Sequence, residues 1–438
     1  MNKTAFIPLE IKDRDLYPRL LIAIDLIVRH KFQIFFGYKG SVDFLASRMK
    51  VSHGGYLGLA TIRNFENLYH KIINNGILLF ITDEEGLVTY EDNYYKKVKI
   101  SEKIIKNKNS FLFVWGKNNY NILEKIKKNN IFITGHPRLD LPKIKNIYQD
   151  EISEIKKKYN KFTLICTSFS YINYFERDKS FKELLKKRKF FKSQKDVKKW
   201  EDYEKIKSKV LFEIIKFIIH TSKRTNNKIV IRCHPSENKE IYQKIEKKYK
   251  NIFFEDKYSV QPWIICANEI VNHYCTTTFE AKAASKKVFS IKPYERSDIE
   301  NDVYFKETII CKNYKELIDK INKSKNKFEN NKNILEKYAY NLNEEVLAYK
   351  NISDKINNHI HEQLKFSKES KINFLFLILV IKFREIKSKI FNQNNKYVEH
   401  KIKTISKDEI ANFIMKFYGG KIKIHCAKVS KNLFKLHS

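Results

Sequence analysis

The sequence predicts an α/β protein with two doubly wound domains and a helical C-terminal extension. Apolar runs of strand length alternate with longer amphipathic stretches over roughly the first three quarters of the chain, which is typical of βαβ units and a parallel sheet. The chain has 438 residues, whereas a single hydrophobic core stops growing at roughly 250–300 residues. We therefore expect two core-forming domains that face each other across a cleft.

The first domain is predicted to span residues 1–145. Stretches of helical periodicity, such as residues 19–30 and 120–128, separate five strand candidates. These candidates are Ala5–Pro8, Gln33–Phe36, Gly76–Ile81, Phe111–Val114 and Ile131–Thr134. The glycine pair after His53 fits either a close backbone approach to a ligand or an ordinary turn, and the sequence does not decide between them.

The second domain is predicted to span residues 155–325, after a lysine-rich connection over residues 143–161. Its strand candidates are Phe162–Cys166, Lys228–Arg232, Ile252–Phe254, Glu269–Val271, Val288–Ile291 and a weaker run at Thr308–Ile310. The stretch 180–209 is too highly charged for a core, so it is predicted to form a helical insertion on the surface.

The third segment, residues 326–438, changes to helical patterns rich in lysine and asparagine. Within it an apolar run over residues 372–381 is followed by several lysines and an arginine. About ten apolar residues are too few to cross a hydrocarbon core that needs about twenty. The run fits either an interfacial helix whose basic tail meets anionic head groups or a buried helix, and both interpretations stay open.

The charge of the chain indicates a polyanionic partner. The formal net charge is +36. A bias toward lysine and asparagine codons accounts for part of this excess, and the remainder fits an anionic membrane face or nucleic acid. Because the lysines are spread along the whole chain without an aromatic and basic RNA-binding cluster, a membrane surface is expected and nucleic acid is not.

The cysteines and the N-terminus bear on the cellular compartment. Six cysteines are scattered without paired spacing, so neither a zinc site nor a disulfide framework is predicted. They are expected to be reduced thiols. The first ten residues lack the apolar run and the cleavage site of a signal peptide. We expect a cytoplasmic protein that is peripheral on the inner face of the cytoplasmic membrane.

Polar residues follow two predicted strands of the second domain. In an open α/β sheet, ligands bind at the carboxyl ends of the strands. His234 and Pro235 end one strand, and Thr276, Thr277 and Thr278 precede a predicted helix. A helix N-terminus offers free N–H groups and a positive dipole end to an anion. The sequence therefore predicts a phosphate or carboxylate site here.

Four more residues of the second domain are candidates for the same site. Arg232 lies two residues before His234, on the same face of the strand, and is either a second anion ligand or part of an ion pair inside the sheet. Glu280 is placed to bind ribose hydroxyls. Ser168 and Asn173 follow the first strand of this domain, where a loop would approach the nucleotide.

Two loops of the first domain also carry candidate residues. In the acidic loop Asp83-Glu84-Glu85-Gly86, Glu84 and Glu85 cannot point the same way from an extended segment. In the turn over residues 135–140, His136 and Arg138 either position a chain reversal or contact a ligand in the cleft.

These motifs together resemble known families. The acidic loop, the His234-Pro235 pair and the threonine triplet resemble motifs of bacterial sialyltransferases and Kdo transferases. The opening Ile7-Pro8-Leu9-Glu10 with Arg14 and Arg19, and the turn Gly135-His136-Pro137-Arg138-Leu139-Asp140, resemble bacterial surface carbohydrate biosynthesis proteins. That turn is also similar to one of CDP-glycerol glycerophosphotransferases. The resemblance covers roughly residues 4–300, and the triplet replaces the usual Ser-Ser or Ser-Thr.

The resemblance implies a GT-B glycosyltransferase that is inverting and independent of metal and cofactors. It implies a CMP-activated donor, such as Kdo or a sialic-acid-like ulosonic sugar, and a surface polysaccharide or lipid-linked glycan as acceptor. The first domain would bind the acceptor and the second the donor. Glu85, with Glu84 as the alternative, would be the general base, and His234 would assist departure of the CMP phosphate.

Two other functions remain open. One is a CDP-glycerol or CDP-ribitol type polyol phosphotransferase with similar motifs. The other is a basic membrane- or nucleic-acid-binding protein without enzymatic activity. The chain has neither the GxxxxGK[ST] nor the GxGxxG pattern, so a kinase- or ATPase-type phosphate loop is excluded.

Overall fold

Two β-sheets organise the chain, one in each of two units. The structure is a computed structural model. It describes residues 3–89, 100–175, 181–187, 189–295, 302–306, 308–324, 337–342, 345–362, 374–391 and 404–438. The first unit combines residues 1–147 with residues 336–438, and the second unit is residues 148–335.

The N-terminal part of the first unit has the alternation of strands and helices that the sequence predicts. Its described strands are β1 (Lys3–Leu9), β2 (Phe32–Tyr38), β3 (Gly54–Gly58), β4 (Ile77–Ile81), β5 (Ser110–Val114) and β6 (Ile131–Ile133). Its described helices are α1 (Lys12–His30), α2 (Lys39–Ala46), α3 (Glu66–Asn74), α4 (Gly86–Thr89), α5 (Glu102–Lys106) and α6 (Lys117–Leu123). The strands pair in the order β2-β1-β3-β4-β5-β6, and each pair is parallel.

One strand of this parallel, N-terminal part of the sheet was not predicted. β3 has the sequence Gly-Gly-Tyr-Leu-Gly and is buried between β1 and β4. Glycine weakens the strand signal of a sequence, because it adds no side chain to pack. Here the small residue makes room for a neighbour, since a Cβ on Gly55 would lie 2.8 Å from Cδ1 of Ile360. The glycine pair therefore belongs to a central strand and not to a turn.

The second unit has an entirely parallel sheet in its described part. Its strands are β7 (Phe162–Cys166), β8 (Lys228–Arg232), β9 (Ile252–Phe254), β10 (Glu269–Asn272), β11 (Lys287–Ile291) and β12 (Ile309–Cys311). They pair in the order β12-β11-β10-β7-β8-β9. Its helices are α7 (Gln149–Tyr159), α8 (Phe181–Lys187), α9 (Gln194–Arg224), α10 (Glu240–Lys248), α11 (Val260–Cys266), α12 (Thr277–Ala283) and α13 (Tyr314–Lys323). The order reverses direction at β7, as in a doubly wound sheet.

The long helix α9 joins the predicted surface insertion to the core. It begins at Ser193, whose side chain accepts a hydrogen bond from the Asp196 N–H in a capping box. Its first half is exposed or half-buried except at Lys207, whereas Val210, Ile214 and Ile218 in its second half are buried against the sheet. The charged segment is thus the outer half of a core helix.

The C-terminal segment was predicted to be a separate helical extension, and the structure corrects this prediction. Its described elements are α14 (Ala348–Glu362), α15 (Phe374–Phe391), α16 (Lys407–Tyr418), β13 (His425–Ser430) and β14 (Leu433–His437). The strands form an antiparallel hairpin, and β14 pairs antiparallel with β2. Leu433, Phe434 and Leu436 are buried, so the hairpin extends the first sheet and its core.

The apolar run of this segment lies partly within the described residues, since the structure describes it from Phe374 onward. One face of α15 belongs to the first unit, because Leu377 and Ile381 are buried in the same core cluster as Phe35. Among the described residues, no helix is both long enough and apolar enough to cross a membrane.

The turn over residues 135–140 is held in place by Asn341. This residue belongs to the C-terminal segment, which returns to the first unit and is called the returning segment below. Asn341 accepts a hydrogen bond from the N–H of His136 (3.0 Å) and donates one to its carbonyl oxygen (2.9 Å). Gly135 has a φ of +77°, and a Cβ there would lie 2.2 Å from Oδ1 of Asn341. Glycine is required both for the backbone conformation and for this close approach.

Asp140 completes the connection to the returning segment. Its carboxylate accepts hydrogen bonds from the Asn341 side chain (2.7 Å) and from the N–H groups of Ala348 (3.1 Å) and Tyr349 (2.9 Å). Because the last two groups belong to the first turn of α14, Asp140 satisfies donors that have no partner inside that helix. The sequence predicted the turn but not this function.

We predict that Asp140→Asn destabilises the protein by about 1–3 kcal/mol at neutral pH, since an amide group would face N–H donors. Burial raises the pKa of Asp140 to about 6, above the value of about 3.9 in an unfolded chain. The folded state therefore binds this proton more tightly, and the contribution of Asp140 to stability increases as the pH falls through 6.

The difference in unfolding free energy between wild type and Asp140→Asn should thus be about 1 kcal/mol larger at pH 5 than at pH 7.5. Urea denaturation followed by circular dichroism measures it. Asp408→Asn is the matched control, because Asp408 is exposed in the first turn of α16. A difference that narrows at pH 5 would contradict the proposed titration.

Candidate functional site

Several of the predicted ligand-binding residues of the second unit lie in loops at one edge of its sheet. Ser168 follows β7, His234 follows β8 and Thr276 follows β10. Because these strands are parallel, their carboxyl ends meet at the same edge. The three loops therefore bring their polar side chains to the same side of the unit.

A buried carboxylate that the sequence analysis missed connects two of these loops. Oε1 of Glu237 accepts hydrogen bonds from the Thr167 hydroxyl (2.9 Å) and from the N–H groups of Phe169 (3.0 Å) and His234 (3.1 Å). Oε2 accepts one from the Tyr242 hydroxyl (2.6 Å). Burial raises the pKa of Glu237, while these donors act in the opposite direction. The sequence feature that could have identified this residue is its position, since Glu237 is a glutamate three residues after the histidine that ends a strand.

His234 itself is exposed at this edge. Its Nδ1 accepts a hydrogen bond from the N–H of Ser236 at 3.2 Å. A neutral imidazole that accepts at Nδ1 carries its proton on Nε2. The outer nitrogen of His234 is thus a hydrogen-bond donor, which suits a phosphate or carboxylate oxygen.

The threonine triplet is organised by Asn272, the last residue of β10. The Asn272 amide group donates to the hydroxyl oxygens of Thr277 (3.3 Å) and Thr278 (3.0 Å). Ser290 in turn donates to the Asn272 carbonyl oxygen at 3.1 Å. Thr276 caps α12 through its backbone and is half-buried. Thr276 is the member of the triplet best placed to meet a ligand.

Ser168 and Asn173 connect the loops to one another. The Ser168 hydroxyl donates to the carbonyl oxygen of His273 (2.7 Å), and the Asn173 amide group donates to that of Asn238 (2.9 Å). Both side chains therefore hold loop backbone in place at this edge. Pro235, the residue after His234, is exposed.

Two other candidates, the half-buried Arg232 and the buried Glu280, bind other groups of the second unit. Arg232 donates to the carbonyl oxygens of Lys257 (2.7 Å) and Tyr258 (2.8 Å), and its guanidinium lies 5.3 Å from the Trp263 ring centroid. Glu280 is buried, with Oε2 accepting from the Gln261 amide group at 3.2 Å. This geometry disfavours the predicted anion contact for Arg232 and the ribose contact for Glu280, because both polar groups are engaged inside the unit.

The acidic loop of the first unit lies at the carboxyl end of β4, and its two glutamates point in opposite directions. Glu84 is buried, whereas the side chain of Glu85 is 59% exposed. Oε1 of Glu84 accepts from Nη2 (2.7 Å) and Nε (3.0 Å) of Arg19. Oε1 of Glu85 accepts from Nη1 of Arg14 at 2.7 Å. The predicted divergence of the two side chains is confirmed.

Arg19 also fixes the backbone around the acidic loop. Its guanidinium donates to the carbonyl oxygen of Leu57 (2.9 Å) at the end of β3 and to the Thr82 hydroxyl (3.1 Å) after β4. Burial alone would raise the pKa of Glu84, but Arg19, with His136 and Arg14 nearby, holds this pKa well below its usual range. Glu84 is therefore an ionised partner of Arg19 and a weak proton acceptor.

His136 completes this arrangement from the loop after β6. Its ring stacks on Trp115 with centroids 4.2 Å apart, and its Nε2 lies 3.3 Å from Oε2 of Glu84. Its Nδ1 accepts from the N–H of Arg138 at 3.3 Å, so the proton of the neutral ring is on Nε2. Burial lowers the pKa of His136 despite the attraction of Glu84, which keeps the ring neutral at pH 7.

Trp115 and Arg138 support the same loops. The indole N–H of Trp115 donates to the Asp83 carbonyl oxygen at 2.9 Å, and Asp83 has a φ of +35°. The Arg138 guanidinium is buried, 6.0 Å from the Trp115 ring centroid. His136 and Arg138 thus lie inside the first unit beside the acidic loop, and Glu85 is the candidate there that reaches solvent.

No protein-family model and no curated protein matches the sequence. The fold has clear neighbours among solved structures. The UDP-GlcNAc 2-epimerase from Methanocaldococcus jannaschii aligns with a TM-score of 0.51 at 12% identity, over 82% of this chain and 100% of that chain. A variant of the wall teichoic acid polymerase TagF aligns with a TM-score of 0.50 at 11% identity, over 83% and 90%. The same polymerase with CDPG also has a TM-score of 0.50, at 13% identity.

These neighbours are GT-B proteins, so the predicted fold class is confirmed. At such low identity the similarity establishes the fold alone. The roles of individual residues must therefore be argued from the geometry of this chain.

We predict that the two glutamates differ in their effect on stability. Glu84→Gln should lower the unfolding free energy by about 3 kcal/mol or more, because it leaves the buried Arg19 without a charged partner. Glu85→Gln should change it by about 1 kcal/mol or less, because the Glu85 side chain is 59% exposed and Arg14 keeps its ion pair with Asp15. Guanidinium denaturation of both variants measures the difference. Equal effects would contradict the assignment of Glu84 as an interior partner of Arg19.

Proposed function

We propose that this protein is a transferase that moves a group from a nucleotide-activated donor to a glycan or lipid-linked acceptor of the cell surface. The observation that carries the proposal is the polar edge of the second sheet, where His234, Ser168 and Thr276 follow parallel strands. This is the edge at which doubly wound sheets bind nucleotides. A purely structural unit would not need an exposed histidine held in one tautomer by its own loop.

In this proposal the second unit binds the donor. Nε2–H of His234 donates to a phosphate oxygen of the nucleotide, and the Thr276 hydroxyl binds a second phosphate oxygen. Hydrogen bonds from positioned donors stabilise the charge that develops on a departing phosphate. Glu237 keeps the loop of His234 in place by accepting a hydrogen bond from the backbone N–H of His234. Neutral and backbone donors are enough for this task, so we propose that transfer is independent of metal and cofactors.

In the same proposal the first unit binds the acceptor, and Glu85 is the general base. A base must reach the acceptor hydroxyl, and Glu85 is the exposed member of the acidic loop. It takes the hydroxyl proton while the acceptor oxygen bonds to the transferred group and the nucleotide leaves with the electron pair of the broken bond. Glu84 positions the loop through Arg19 and does not take the proton.

Two donor classes fit this chemistry. The motifs favour a CMP-activated ulosonic sugar, which would make the enzyme an inverting glycosyltransferase. The fold neighbour TagF is a wall teichoic acid polymerase and was studied with CDPG, which favours a CDP-polyol as the second candidate. Both donors contain cytidine, so preference for cytidine tests the shared part of the proposal, and turnover distinguishes the two donors.

We predict that CMP and CDP raise the melting temperature more than UMP and UDP do. A ligand at one hundred times its Kd stabilises the folded state by about 2.7 kcal/mol. His234→Ala should abolish most of this stabilisation. His220→Ala is the matched control. His220 lies near the C-terminal end of α9, which leads into the start of β8, whereas His234 follows the end of β8. Equal protection by UDP would overturn the cytidine assignment, and protection by no nucleotide would favour a protein without this activity.

We predict that Glu85→Gln lowers turnover by roughly 10²–10⁴-fold, as expected for the loss of a general base, and leaves CMP binding unchanged. Transfer from CMP-Kdo, CMP-sialic acid and CDP-glycerol to a lipid-linked acceptor is measured with and without EDTA. Glu84→Gln is compared below its melting temperature, where it should lose less activity than Glu85→Gln. Near wild-type transfer by Glu85→Gln would show that the base lies elsewhere.

A further inference from the structure

Helix α15 of the first unit has two apolar faces. Leu377 and Ile381 on its inner face are buried, and the Phe374 ring packs 5.4 Å from that of Phe35 in β2. On its outer face five large apolar side chains are each more than half exposed: Leu375, Phe376, Leu379, Phe383 and Ile386. Scattered apolar residues on a surface are normal, but a contiguous set indicates a binding surface.

The five outer residues form one stripe. At about 100° per residue, their positions fall within an arc of about 100° around the helix axis. The buried Leu377 and Ile381 lie on the opposite side of the axis. We refer to the five residues as the outer stripe.

Basic residues border the outer stripe on both sides. Lys382 lies about 20° beyond one edge and Lys387 about 20° beyond the other, and both side chains are exposed. The acidic residue of the helix, Glu385, points away from the stripe and accepts hydrogen bonds from the Ser430 hydroxyl (2.8 Å) and the Lys431 N–H (3.3 Å). The outer surface of α15 therefore combines apolar and positively charged groups.

More positive charge lies beside the helix. The guanidinium groups of Arg48 and Arg384 lie 3.9 Å and 4.8 Å from the Phe44 ring centroid. Burial together with the neighbouring charge of Arg384 lowers the pKa of Arg48. Arg384 lies about 130° from the centre of the outer stripe, so this pair adds to the positive charge of the first unit near α15 but does not border the stripe.

We propose that the outer stripe of α15 docks the protein on the surface of an anionic lipid bilayer. Apolar side chains bordered by lysines are the pattern of a helix that lies in the membrane interface, with lysine chains reaching the head groups. The inner face is fixed to the core of the first unit, so α15 lies parallel to the membrane surface while the sheet remains outside. Lys382 and Lys387, which border the stripe, contact lipid phosphates.

The charge distribution favours lipid over a second copy of the chain. Two stripes that packed together would bring their lysine borders into contact, and each chain carries a formal net charge of +36. Like charges at such an interface oppose association. An anionic bilayer instead attracts basic residues near its surface. This surface is distinct from the proposed nucleotide site, so the two can be tested separately.

The test is flotation of the full chain with vesicles of phosphatidylcholine alone and of phosphatidylcholine with about 30% phosphatidylglycerol. We expect binding to the anionic vesicles that is at least tenfold stronger than to neutral ones and that weakens with salt. The double variant Leu379→Glu, Phe383→Glu should lower binding at least tenfold, and Lys382→Glu, Lys387→Glu should lower it severalfold. Phe212→Glu is the matched control, because Phe212 is an equally exposed apolar residue on α9 of the second unit.

Folding of each variant is checked by its melting temperature, and a Leu379→Trp variant measures insertion directly. The fluorescence that the new indole adds to the wild-type spectrum should shift to shorter wavelength with anionic vesicles and be quenched by brominated lipids. Unchanged binding of the Leu379→Glu, Phe383→Glu variant would overturn the proposal, as would an added indole signal that stays unquenched in the bound state. A wild-type dimer that this double variant dissociates would assign the stripe to a second copy instead.

Discussion

The ion pair between Arg19 and Glu84 is the interaction on which the arrangement of the first unit depends. One guanidinium from α1 contacts the ends of β3 and β4 and the acidic loop, and His136 lies against the other oxygen of the same carboxylate. A buried pair of this kind is costly to break, because either partner alone would be an uncompensated charge. The position of Glu85, its exposed neighbour, follows from this pair.

The second unit uses the same principle without an ion pair. Glu237 accepts hydrogen bonds from four donors in three segments of the chain, and one of these donors is the backbone N–H of His234. The exposed imidazole of His234 therefore extends from a fixed loop. In both units a buried carboxylate fixes the loop beside a more exposed side chain, Glu85 in the first unit and His234 in the second, to which we assign the proposed chemistry. Such preorganisation is what a transfer reaction requires, because positioned groups need no rearrangement when charge develops.

The C-terminal segment links the fold to the proposed membrane surface. Asp140 and Asn341 attach the returning chain to the loop after β6, and the hairpin of β13 and β14 extends the first sheet. This attachment leaves α15 with one face in the core and one face exposed. The apolar run therefore does not have a single role: its inner residues stabilise the unit, and its outer residues form the surface that we propose binds lipid.

Much of the fold was accessible from sequence, because strand-length apolar runs reflect local burial on both faces of a parallel sheet. The eleven predicted strands are present. β3 was missed because its glycines carry no apolar pattern, and β13 and β14 were missed because their segment was predicted to be helical. The same reasoning found the loops at the carboxyl ends, since strand ends are a property of the local sequence. It placed Glu84 and Glu85 in one loop and His234 at a strand end.

Tertiary structure alone decided which of these polar groups are engaged inside and which are exposed. Arg232 and Glu280 look like ligand-binding residues in the sequence. In the structure, however, Arg232 binds two carbonyl oxygens from a loop distant along the chain, and Glu280 binds a glutamine on another helix. The role of Glu237, the return of the hairpin to β2 and the two faces of α15 likewise depend on contacts distant along the chain. Periodicity records how a segment is buried, but it carries no information about which segment buries it.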